Sequence, residues 1–79
     1  MTLDDLVLPD KVLARVRQSL AALARAQTVT DALLVNERAQ GVVEGLEVAG
    51  ALNPRDIEQL FILLDEALAA HLAQWPGSA

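Results

Sequence analysis

The stretch Gly50-Ala51-Leu52-Asn53-Pro54-Arg55-Asp56 decides how this chain is divided. A glycine suits the left-handed residue just past a helix end, where a side chain would clash with its own backbone. Leu52 is placed to fold back on the last turn of the helix that Gly50 ends. Asn53 suits an N-cap, because its side-chain oxygen accepts from free backbone N–H groups of the next turn. Pro54 fits the first helical position, where a missing N–H costs nothing. Asp56 and Glu58 then place negative charge in the positive first turn. These cues predict one helix stopping and another starting within a few residues. A link this short predicts an antiparallel helical hairpin.

On the C-terminal side the spacing predicts a helix over 54–74. At about 100° per residue, Ile57, Leu60, Phe61, Leu64, Leu68, His71, Leu72 and Trp75 share one face. Ile62 and Leu63 fall off that face, on opposite flanks. The run Leu60-Phe61-Ile62-Leu63-Leu64 therefore wraps much of the helix with apolar surface, more than three short helices are expected to cover. Surplus of this kind marks an interface. Trp75-Pro76-Gly77-Ser78-Ala79 ends the helix, and residues 75–79 read as a frayed tail.

On the N-terminal side a helix is expected over about 31–49. Ala32, Val35, Ala39, Val42, Val43 and Leu46 make its main apolar face, and Asn36, Glu37, Gln40, Glu44 and Glu47 its polar one. A further stripe carries Leu34, Gly41, Gly45 and Val48. Each mid-helix glycine costs about 1 kcal/mol relative to alanine. Close approach of another backbone or a bulky side chain, inside the chain or across a dimer, is the expected reason for both. Thr28-Val29-Thr30-Asp31 interrupts the helical pattern: three β-branched residues weaken helix, and Thr28 or Thr30 can cap the next one. A turn is expected there, with one bent helix over 10–49 as the alternative.

Pro9 and Asp10 open a first main helix, expected over about 10–27, with Leu13, Val16, Leu20, Leu23 and Ala24 on its apolar face. Residues 1–9 form a short leading segment. Thr2 and Asp5 have capping-box spacing, so one helical turn can precede Pro9 and tuck Leu3, Leu6 and Leu8 against the bundle. A loose tail is the alternative.

Composition agrees with an all-α chain. Of 79 residues, 53% are hydrophobic and 3% aromatic, and Leu and Ala together account for 29. That is helix-forming material with few strand formers. A chain this short sits near the lower limit for independent folding and often adds staples or associates. With no cysteine and one histidine, disulfides, thiolate sites and histidine-rich metal sites are excluded, which leaves association. No apolar run reaches the roughly 18–20 residues of a membrane span. The start Met1-Thr2-Leu3-Asp4-Asp5 is acidic where a signal peptide is basic, so a cytoplasmic protein is expected.

The net charge of −5 divides into +1 over residues 1–27 and −6 over 28–79. A basic footprint for phosphate backbones is absent, so no nucleic-acid partner is expected. The helix that follows Asn53 begins Pro54-Arg55-Asp56-Ile57-Glu58, too acidic for a DNA recognition helix. Catalysis needs converging groups. His71 has no nucleophile or orienting partner at a recognisable spacing and reads as a packing or rim residue. Asp4/Asp5, Glu44/Glu47 and Asp65/Glu66 read as solvated charge; a divalent ion wants six or so oxygens in a defined cluster. Gly41 and Gly45 lie inside a helix and form no phosphate loop. No enzyme activity, cofactor or metal is expected.

These readings converge on a small three-helix all-α domain with a C-terminal antiparallel hairpin, completing its core by homodimerisation. The expected function is protein binding: a small acidic regulator or inhibitor, adaptor, anti-activator or phage-type, that blocks a partner protein through an apolar helical face. Alternatives are an immunity protein or antitoxin, a structural oligomerisation subunit, or a nucleic-acid mimic. The expected contact residues are Leu34, Gly41, Gly45, Leu60, Phe61, Ile62, Leu63, Leu64, Leu68 and Trp75, with Phe61 and Trp75 as aromatic anchors.

Overall fold

The computed structural model describes residues 2–74; Met1 and residues 75–79, Trp75 among them, lie outside the described part. A 3-10 turn, Leu3–Asp5, precedes three helices: α1 (Asp10–Arg25), α2 (Val29–Val48) and α3 (Pro54–Leu72). There is no strand among the described residues. The chain packs into a body of 39 × 21 × 18 Å.

The 50–56 joint has the expected chemistry. Gly50 has φ 66°, the left-handed conformation. The Gly50 N–H donates to the Glu47 carbonyl at 3.1 Å, and the Ala51 N–H donates to that of Leu46 at 3.0 Å. These two bonds satisfy carbonyls that the end of α2 leaves open. Leu52 is half-buried against the same core as Leu46. The Asn53 Oδ1 accepts from the Asp56 N–H at 2.9 Å, and its Nδ2 donates to the Asp56 carboxylate at 3.1 Å.

The turn between α1 and α2 rules out a single bent helix. Ala26 is extended at ψ 130°. Thr28 is the N-cap of α2, its Oγ1 accepting from the Asp31 N–H at 3.0 Å. The helix therefore starts at Val29, two residues earlier than the β-branched run suggests. The leading segment does form its turn: the Thr2 N–H donates to the Asp5 carboxylate at 2.8 Å. Leu3 is buried, and Leu6 and Leu8 pack against the core. Arg17 of α1 reaches Asp4 at 3.3 Å across this junction.

Two apolar clusters hold the body together. The larger joins Leu3, Val16, Ala39, Val43, Ile57, Leu60, Leu63 and Leu64. The smaller joins Leu23, Ala26 and Ala32, with Val35, Ala67, Leu68 and Leu72 against it. Among the polar residues within reach of the smaller cluster, His71 is buried, and its Nε2–H donates to the Ala26 carbonyl at 2.9 Å. The carbonyl can only accept, so the proton sits on Nε2.

Three expectations about faces need correcting. Leu63 is not on an exposed flank of α3; it is buried at 6% exposure, beside Leu60 at 0% and Leu64 at 2%. The reason is that α3 packs against α1 and α2 at once, so its covered arc is wide. Asn36 does not face solvent: Ala32, Asn36, Ala39 and Val43, at i, i+4, i+7 and i+11, form the buried stripe of α2. On α1, Ala24, expected on the apolar face, is exposed, while the small polar Ser19 is buried.

Candidate functional site: the outer face of the second helix

Burial sorts the expected contact residues. Leu60, Leu63 and Leu64 are interior, so the folded chain does not present them to a partner. Phe61 and Leu68 are half-buried against the two clusters. Ile62 is exposed at 37% as a single apolar side chain among Arg55, Glu58, Asp65 and Glu66. Scattered apolar residues of this kind are ordinary on protein surfaces. Trp75 lies outside the described residues. Leu34, Gly41 and Gly45 are exposed, and they remain together on one side of α2.

That side follows from helix geometry. With 100° per residue, Leu34, Gly41, Gly45 and Val48 lie within a narrow arc, roughly opposite the buried stripe of Ala32, Asn36, Ala39 and Val43. Val48, although on the sequence-derived stripe, was not among the expected contact residues. It is 89% exposed, and Leu34 is 43% exposed. Leu33, at 48%, adds apolar surface at the margin. Apart from the adjacent residues and α2's own nearby backbone, nothing among the described residues lies within 4 Å of the space a Cβ would take at Gly41 or Gly45. Close approach inside the chain therefore does not account for the two glycines, which corrects the intramolecular half of that expectation.

The two margins of this face differ in make-up. One margin carries Arg38 and, seven residues earlier, the exposed Asp31, and beyond them lies α1: Arg15, Gln18, Ser19 and Ala22 share a shallow groove with Val35, Arg38 and Ala39. The other carries Glu37 and Glu44, and beyond it α3: Gln40, on that same flank, donates to the Asp65 carboxylate at 3.3 Å. Seen from outside, an apolar and glycine stripe runs along α2 with a basic helix on one side and an acidic helix on the other.

The remaining surface offers less. An open cleft of about 570 Å³ lies between the leading segment and the start of α3, lined by Asp5, Leu6, Val7, Asn53, Arg55, Asp56 and Gln59. Its Asp5 and Asn53 side chains already serve as helix caps, and the Asp56 carboxylate accepts from the Asn53 amide. Among the described residues there is no cluster of His, Asp or Glu able to hold a metal ion. No described helix is long and apolar enough to cross a membrane. The chain matches no protein-family model, no curated protein and no solved structure.

Proposed function

We propose that the chain is a protein-binding module, a small acidic regulator or inhibitor, and that the outer face of α2 is the surface it binds through. One observation carries the reading. Leu34 and Val48 lie on the solvent side of a helix whose opposite side already fills the core, and among the described residues they stay 43% and 89% exposed. Apolar surface concentrated on one face favours association, because burying it removes it from water. The two glycines leave room for a partner's backbone or bulky side chain to come close. Binding here acts by occlusion: the helix occupies a surface that the partner uses otherwise. The acids of residues 28–79 supply a charged rim that selects which partner docks.

The test compares the wild type with Leu34→Glu and Val48→Glu. Both substitutions lie in solvent, so circular dichroism and thermal unfolding stay close to wild type. Sedimentation of the purified chain and recovery of bound proteins from a host extract are then measured together. The expected result is that wild type assembles, with itself or with another protein, and that both variants lose that assembly. Wild type and variants sedimenting alike as monomers and recovering the same proteins would refute the reading.

A further inference from the structure

We infer that the groove between α1 and α2 is a separate binding site, and that it takes the carboxylates of an acidic segment of a partner protein. The inference does not depend on the reading of the α2 outer face. It rests on charge, in a groove that neither Leu34 nor Val48 lines.

The cations of this acidic chain are unevenly placed. Arg15 and Arg38 line the groove together with Gln18, Ser19, Ala22, Val35 and Ala39, around a space of about 120 Å³. Lys11 and Arg25 continue the line along α1: at 100° per residue, Lys11, Arg15, Ala22 and Arg25 fall within an arc of about 80°. Lys11, Arg15, Arg25 and Arg38 are all exposed. The groove thus gathers four of the chain's six basic residues. Of the acids, Asp31 shares its walls; it is exposed at the Arg25 end, seven residues before Arg38 and about 10 Å from it along the axis. Asp10 and Glu37 adjoin Lys11 and Arg38 in sequence, and each projects about 100° round its helix from that neighbour. Four cations against one carboxylate give +3 at the groove, while the other two cations against ten acids give −8 elsewhere.

The chain does not neutralise these four itself. The ion pair formed among the described residues joins Arg17 to Asp4, on the far side of α1. Arg15 donates from Nη1 to the Gln18 Oε1 at 3.5 Å, a long bond that leaves most of its five N–H donors open. A guanidinium fork matches a carboxylate, and an apolar wall beside a cation strengthens its pull. Here that wall is Ala22, Val35 and Ala39. An acidic segment therefore finds carboxylate partners at Arg15 and Arg38, flanking cations at Lys11 and Arg25, and an apolar seat against Val35. Nucleic acid fits less well. Single strands are held by aromatic stacking as well as by charge, and no aromatic side chain lines the groove. Glu37 and Glu44, beyond Arg38, repel a long phosphate backbone, whereas a short segment stays clear of them.

The experiment titrates the isotope-labelled chain with a capped hexaglutamate peptide at low salt and follows amide and arginine side-chain signals by NMR. The expected shifts gather on Arg15, Gln18, Ala22, Val35 and Arg38 and fade as salt rises. Arg15→Ala and Arg38→Ala should each weaken binding about threefold, and the double variant about tenfold. All these side chains are exposed, so the fold holds. Arg55→Ala removes the same charge from the start of α3 and should leave binding unchanged. Asp31→Asn removes the acid of the groove and should tighten binding. Absence of shifts at the groove overturns the site. Shifts spread over the whole chain, or an equal loss in Arg55→Ala, mean attraction by total charge alone and overturn it too. Tighter binding of a thymidine hexanucleotide than of the peptide overturns the acidic segment as occupant.

Discussion

The imidazole of His71, near the end of α3, donates from Nε2 to the carbonyl of Ala26 at 2.9 Å, forty-five residues earlier in the chain. Ala26 is the residue at which α1 ends, and its carbonyl is one of those that a helix terminus leaves without an intrahelical partner. The bond thus ties the last turn of α3 to the α1–α2 corner and satisfies an acceptor that lies beside the smaller core cluster.

Replacing His71 by Leu keeps apolar bulk and removes the donor. The buried Ala26 carbonyl then loses this partner, and stability falls by about 2 kcal/mol. Chemical denaturation of His71→Leu measures this as a lowered midpoint at unchanged slope. A midpoint equal to wild type would show that water replaces the ring without cost.

The local devices were legible in the sequence because capping chemistry depends on a few neighbouring residues. Gly50, Asn53, Pro54, Thr2 with Asp5, and Thr28 all occupy the roles their side chains suit. The inward side of α2 was legible too: Ala32, Ala39 and Val43, on the expected apolar face, are buried. Only Asn36 was misassigned; it was put on the polar face for its chemistry, although its place four residues after Ala32 sets it on the buried stripe. The interior placement of Leu63 was hidden for another reason: it depends on α3 being covered from two sides, a property of the assembled bundle. The partner of His71 depends on a contact across most of the chain.

Leu60 and Ile62 test the reassignment of α3 directly. Leu60 is fully enclosed in the larger cluster, whereas Ile62 is 37% exposed. Leu60→Ala leaves a cavity and is expected to cost about 3 kcal/mol. Ile62→Ala, on the outer surface, is expected to cost less than about 1 kcal/mol. Equal losses for the two, read from urea unfolding, would mean that α3 is rotated from the position described.

Asn36 is the buried polar residue whose placement costs most. It is 9% exposed, and its Oδ1 has no hydrogen-bond partner. An acceptor left unsatisfied in the interior costs about 1–3 kcal/mol. Asn36→Leu has similar bulk and is expected to raise stability by about 1–2 kcal/mol on that account. The unfolding midpoint should therefore rise. A fall would show that the amide contributes more than its one orphaned atom suggests.

The glycines separate backbone need from surface need, and alanine distinguishes the two by sign. At Gly50, with φ 66°, any Cβ is strained whatever the free space, so Gly50→Ala should lose about 1–2 kcal/mol. At Gly41 the backbone is helical and no neighbour meets an added methyl. Gly41→Ala should therefore stabilise the isolated chain by about 0.5–1 kcal/mol. On the binding face proposed for α2, the same methyl fills room left for a partner. Gly41→Ala should therefore unfold at higher denaturant yet assemble more weakly than wild type, read by sedimentation and by recovery of bound protein. A variant both more stable and equally associated would leave Gly41 without a role in that face and would place the contact elsewhere on the chain.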